Sequence, residues 1–226
     1  MKNQQGGFTL VEIAIVLVII GLLLGGVLKG QELINSAKVK NMINDFRTTS
    51  ALVYGYQDRF KSFPGDQTQT QLDAAFGAAA LATASTTTTT ANNGRIDGNW
   101  DDSTTASETF VFWQHVRLAN LATGATDTTD TNYLPRNADG GQIGVESGID
   151  STGAAKPFIS GMRGSFYVCS SGILGRYVRQ IDTTMDDGNT AGGSVQAVTL
   201  NAGRPATAVP TKDIVDGQQY IVCASL

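Results

Sequence analysis

Histidine is nearly missing from this chain, cysteine and proline are sparse, and charge is thin. There are one His, 2 Cys and 5 Pro in 226 residues, of which 16% are charged. Each shortage closes a class of function. Two cysteines are too few for a fold built on disulfides. A lone histidine, with no Ser-His-Asp or Cys-His spacing and no phosphate-cradling glycine loop, offers no frame for nucleophilic catalysis, so no enzymatic activity is expected. Carboxylates are plentiful but sit mostly in loop-like stretches, where spacing alone makes no catalytic dyad. A net charge of −4 and the lack of a basic stripe interleaved with aromatics argue against nucleic acid as a partner. What the chain does have is length enough for a buried core once any membrane segment is set aside.

Its charge is unevenly divided. Residues 1–66 carry seven Lys/Arg against five acids, and the remainder nine against fifteen, a balance of +2 followed by −6. Within the first part, residues 8–28 read FTLVEIAIVLVIIGLLLGGVL: 21 residues with Glu12 as the sole ionisable side chain and no proline. About 20 apolar residues span a bilayer's hydrocarbon core as a helix. A secretory signal would have a shorter apolar run and a small-x-small cleavage site, which residues 30–35 lack. A plain anchor would not account for Glu12, because an unpaired carboxylate in an apolar helix costs several kcal/mol.

Gly6-Gly7-Phe8-Thr9-Leu10-Val11-Glu12, after a short basic leader and at the head of the apolar run, resembles the class III signal of type IV pilins and type II secretion pseudopilins. The resemblance covers residues 1–60. It implies that a membrane-embedded prepilin peptidase cuts after Gly7 and N-methylates Phe8, and that Glu12 serves subunit assembly. It also implies a homo-oligomeric helical filament built by inner-membrane pilus or secretion machinery. Before assembly the subunit is stored in the bacterial inner membrane with its head exported; afterwards it is part of a periplasmic or extracellular filament. The residue types suit these roles. Gly7 lets the peptide enter a protease cleft extended, and cleavage leaves an amine on Phe8 that a neighbour's Glu12 can neutralise. Such a pair specifies register better than it adds stability. The resemblance places the leader in the cytoplasm, against a slight excess of lysine after the span (Lys29, Lys38, Lys40) over Lys2 before it.

Helical patterning continues past the span. Val39, Ile43, Phe46, Ser50, Val53, Gln57 and Phe60 keep a 4,3 spacing, a narrow stripe suited to packing on a small sheet. Phe63-Pro64-Gly65-Asp66 is a stop signal, so one helix is expected from Thr9 to Phe60. Gly21, Gly25, Gly26 and Gly30 in its first half suit either close helix packing or local melting during assembly. Residues 67–107 read as loop, including a serine followed by five threonines at 85–90, a solvated tract open to O-glycosylation. Residues 108–121 pattern as an amphipathic helix whose His115 is structural or exposed. Strands are expected at 159–168, 194–200 and 219–223, and a short helix at 173–185.

The expected fold is therefore α+β, a long N-terminal helix packed on a small antiparallel β-sheet head. Its parts are a leader (1–7), a transmembrane and assembly helix (8–28), a helix extension (29–63) and an exported globular head (64–226). Cys169 and Cys223 are either a disulfide or two reduced buried thiols. The export implied by the resemblance favours the bridge, which on a chain-entropy model contributes roughly 4 kcal/mol. No cofactor is expected. Asn93 to Gly98 superficially follows a calcium loop, but Arg95 falls on a ligand position and Thr104 where a bidentate Glu belongs. Asp97, Asn99, Asp101 and Asp102 form another arrangement that could take calcium, against the simpler reading as turn residues. Asp182, Asp186 and Asp187 read as capping and turn residues. The function implied is a structural subunit of a type IV pilus or type II secretion pseudopilus. The alternative is a non-polymerising membrane-anchored binding module with an extracytoplasmic head.

Overall fold

The computed structural model describes residues 9–86, 91–149, 154 and 156–225. Gly7 and Phe8, and residues 87–90 of the threonine tract, lie outside the described residues. Contacts divide the chain into two units, Met1–Lys38 and Val39–Leu226.

Helix α1, Leu10–Phe60, runs 51 residues without a proline. It ends where expected: Lys61 turns left-handed (φ 57°) and returns its N–H to Gln57 O at 2.8 Å, ahead of Pro64. In the second unit its buried residues are Val39, Met42, Ile43, Phe46, Thr49, Leu52, Val53 and Tyr56. The expected stripe is right at Val39, Ile43, Phe46 and Val53. At Ser50, Gln57 and Phe60 it strays onto half-buried positions. The true face is wider than a single 4,3 row because the helix is covered by more than a sheet.

The sheet has four antiparallel strands in the order β1-β2-β4-β3: β1 Ile143–Glu146, β2 Tyr167–Leu174, β3 Val195–Thr199 and β4 Gln219–Ser225. Because side chains alternate across a strand, the central pair feeds two cores. Val168, Tyr220, Val222 and Ala224 join the cluster containing α1, α3 (Glu108–Leu118) and α4 (Gly175–Met185). Tyr167, Cys169, Ile221 and Cys223 face the other way, under Trp100, Phe158, Ile159, Met162 and Ala206. The molecule is thus α+β, the helix packed on a small sheet, with loops covering the sheet's second face.

Two expectations need correction. The strand foreseen at 159–168 lies mostly in that loop cover, where Ile159 makes an isolated bridge to Ala206. The central strand instead begins at Tyr167 and runs into what was read as the start of α4. The stretch read as loop also holds a helix, α2 (Gln69–Phe76), opened by a capping box between Thr68 and Gln71.

Buried polar groups hold the long connections. Helix α3, expected to be amphipathic, is instead buried on all faces from Glu108 to Arg117, so its polar residues act as fasteners. Gly65 N–H donates to His115 Nδ1 at 2.9 Å, which leaves the ring proton on Nε2 for Thr83 O, also at 2.9 Å. Gly65 is required there: its φ is +99°, and an added Cβ would lie 2.5 Å from Glu108 O. Buried Asp66 accepts the Asn93 and Gly94 N–H groups at 2.8 and 2.7 Å. Buried Glu146 accepts Trp100 N–H and Phe158 N–H at 3.0 and 2.8 Å and pairs with Arg204 at 2.8 Å.

Cys169 and Cys223 stand directly opposite on β2 and β4, Cα atoms 4.1 Å apart, joined by a disulfide. Replacing both with serine should lower unfolding free energy by about 2–5 kcal/mol, measured by chemical denaturation. His115 gives a second prediction. Burial pushes its pKa down to about 4 from 6.5. The unfolded state therefore binds the proton first, and stability present above pH 6.5 is lost as pH falls toward 4, by up to about 3 kcal/mol. Asp45 and Asp182, raised by burial to about 6, act oppositely over the same window. Denaturation curves of wild type and His115→Gln should thus converge as pH falls from 7 to 4.

Candidate processing and assembly site

From Thr9 to Lys29 every residue is exposed. The large apolar side chains among them include Leu10, Ile13, Leu17, Ile20 and Leu24. Fourteen such residues lie between Leu10 and Leu28. Burying each is worth about 1.5–3 kcal/mol, so leaving the set in water forgoes tens of kcal/mol. An apolar face of this extent marks a membrane or protein contact, and α1 is long and apolar enough to cross a bilayer. An added Cβ at Gly21, Gly25, Gly26 or Gly30 would meet nothing within 4 Å, so this chain alone makes no use of their smallness.

The helix entrance carries the one charged group of this stretch. Thr9 is its N-cap. Thr9 N–H and Oγ1–H both donate to Glu12 Oε2, at 2.8 and 2.7 Å, and Glu12 N–H faces Thr9 Oγ1 at 3.3 Å. This is a reciprocal capping box, with Glu12 at the third helical position. Sequence reasoning missed it, although Thr-x-x-Glu before an apolar run is its signature. The geometry gives Glu12 a task inside its own chain and, among the described residues, engages one of its two carboxylate oxygens.

One comparison fixes the character of this segment. Residues 2–28 match the family model described as Prokaryotic N-terminal methylation motif. The chain opens with a prepilin-type class III signal. No curated protein matches the chain. The matched segment takes in Gly7, Phe8, Thr9 and Glu12, the positions singled out for cleavage, methylation, capping and assembly.

The acidic residues considered for calcium each have contacts of their own in the fold. Asp97 takes Asn93 Nδ2 at 2.6 Å and has Arg95 Nε at 3.5 Å. Asp102 accepts Asn99 N–H at 2.9 Å, closing its own turn, and Asp101 pairs with Arg204 at 2.8 Å. Asp97, Asn99 and Asp102 line a cavity of about 500 Å³ together with Glu146, Lys156 and Arg204.

The motif predicts a mature chain that starts at N-methyl-Phe8 and has seven residues fewer than the 226 encoded. Intact-mass spectrometry of membrane-extracted protein should find it, and Gly7→Leu should leave the full-length precursor. Met1 retained in the wild-type protein would count against the prediction.

Proposed function

We propose that this chain is a prepilin whose mature form is a structural subunit of a type IV pilus or type II secretion pseudopilus. It is held in the inner membrane by α1, with the head exported, and polymerises through that helix. The observation that carries the reading is the methylation motif at the head of a helix whose apolar stretch up to Lys29 is exposed on every side. A signal that yields a charged, methylated amine beside a carboxylate suits side-by-side packing of identical helices. The partners are other copies of the chain, a prepilin peptidase and the assembly machinery. The reading includes no catalysis, in keeping with a single histidine clamped at both ring nitrogens.

The capping box favours one second reading, a membrane-anchored binding module that never polymerises, since an anchor also gains from a capped helix. Glu12→Gln separates the two. Glutamine at this position still accepts from Thr9 and preserves the cap, while the charge is gone. In a filament subunit the neighbour's Phe8 amine then loses its counter-ion, and breaking a buried pair costs about 3–5 kcal/mol. Export and leader removal should remain normal, with filament yield falling by about a hundredfold or more by electron microscopy and immunoblot of sheared material. Normal filament yield would sink the docking role; absence of filaments from wild type under the same conditions would favour the anchor.

A further inference from the structure

The cavity beside the start of α3 has no task in membrane storage or polymerisation. Four stretches of chain contribute to its wall: the 97–102 turn, the 104–107 approach to α3, the exit of β1 with Lys156 and Pro157, and the Arg204–Pro205 pair. Its volume of about 500 Å³ falls within the roughly 300–1,000 Å³ of small-molecule sites. Bonds within the wall hold it open. Buried Glu146 accepts Trp100 N–H at 3.0 Å, Phe158 N–H at 2.8 Å and Arg204 at 2.8 Å, and Arg204 also reaches Asp101 at 2.8 Å. Thr109 Oγ1–H donates to Asn99 O at 2.7 Å and ties α3 to the turn. A site shaped before its ligand arrives loses little affinity to ordering.

The charges of the wall are largely matched within it. Glu146 has Arg204 at 2.8 Å, and buried Asp97 has Arg95 Nε at 3.5 Å. Asp102 accepts the Asn99 N–H at 2.9 Å and its amide at 3.3 Å, and Lys156 is a second cation of the lining. A charged ligand would have to break one of these pairs or leave its own charge without a counter-ion in a partly desolvated space, and both are costly. What the wall offers instead is hydrogen bonding at close quarters. The hydroxyl of Thr104, the amide of Asn99 and the carboxylate of Asp102 set donors and acceptors around one space, and Ile149, Pro157 and Pro205 add apolar surface.

Hydroxyl edges and C–H faces on one rigid neutral frame are the chemistry of a sugar ring. We propose that this cavity binds a short neutral saccharide, its hydroxyls bonded to Asn99, Asp102 and Thr104 and a ring face laid against Ile149 and Pro157. A hydroxyl donates and accepts, so one group meets a carboxylate and an amide N–H together, whereas an ammonium only donates and a carboxylate only accepts. Asn99 and Thr104 are exposed, so the ring enters from solvent past the turn. Every residue of the site belongs to the unit Val39–Leu226. Binding therefore needs no filament, and its test stands apart from the question of polymerisation.

The full-length protein, in a detergent without a sugar headgroup, is the material for the test. Calorimetric titration with cellobiose, lactose and N,N′-diacetylchitobiose should give, for at least one of them, one saturable site per chain with a Kd of about 1 mM or tighter. The charged counterparts, chitobiose diamine and cellobiouronic acid, should bind at least about fivefold more weakly than the neutral disaccharide. Thr104→Trp, at an exposed position of the lining, should fill the space and abolish binding without moving the thermal midpoint. Asp102→Asn still accepts the Asn99 N–H, so the turn stays closed while the affinity falls at least about fivefold. Asp58→Asn, an exposed carboxylate on α1, should bind like wild type. Absence of saturable binding by all three disaccharides, equal binding of the charged counterparts, or wild-type affinity in Asp102→Asn would each overturn the proposal.

Discussion

Between Thr9 and Lys29 no side chain of this protein is sheltered by another part of the chain. The rest of the design answers to that constraint. A helix that buries nothing of its own adds little to intramolecular stability, since propensity alone sustains helices only marginally in water. Stability within the chain must come from Val39 onward. There one sheet serves two cores, with the helices on one face and the loops around Trp100, Phe158 and Ala206 on the other. The disulfide sits on the loop-covered face, at the centre of the β2–β4 pair, where the covering segments have no long helix to hold them.

Those segments are rich in Gly, Thr, Asn and Asp, and apolar burial alone would not order them. They are ordered by acidic or aromatic-ring acceptors aimed at backbone N–H groups. Asp66 gathers the 92–94 turn, Glu146 draws Trp100 and Phe158 together, and His115 pins Gly65 to α3. Each acceptor is buried, so removing its partner exposes the full desolvation cost of the group. Head stability therefore depends on these polar contacts as well as on buried apolar area.

The sequence announced most clearly what repeats or stands out locally. The apolar run, the end of α1 at the Pro64 turn, α3 and strands β3 and β4 were legible because each has its own period or punctuation. The signal motif was equally plain. Less legible were features decided at a distance. β1 has only four residues, and their strand character comes from pairing with β2. The apolar residues near 159–168 fit a strand pattern but were recruited as cover for the second face. Met42, Leu52 and Tyr56 escaped the stripe because a narrow 4,3 row presumes one flat partner, and this helix is enclosed on a wider arc. The capping boxes at Thr9 and Thr68 were readable in principle, since both follow the Thr-x-x-Glu/Gln pattern. The burial of Asp182 was not, because in sequence it is one more aspartate near an acidic turn.

If the proposed filament forms, Glu12 would meet two demands without conflict. A carboxylate has two oxygens and about four acceptor positions. The capping box uses Oε2 alone, in an arrangement closed within Thr9 to Glu12. Among the described residues the other oxygen has no bond in the box, so docking a neighbour's amine there would not require the helix to uncap. The box also gives Thr9 a task at the helix entrance. In the proposed filament it would hold the carboxylate in one rotamer before any neighbour arrives and so reduce the side-chain entropy lost when the pair forms; preorganisation of that kind raises affinity without adding a contact. On that proposal cap and docking group are one device, in which the intrachain bonds aim the charge and the exposed apolar helix supplies the surface on which it is used.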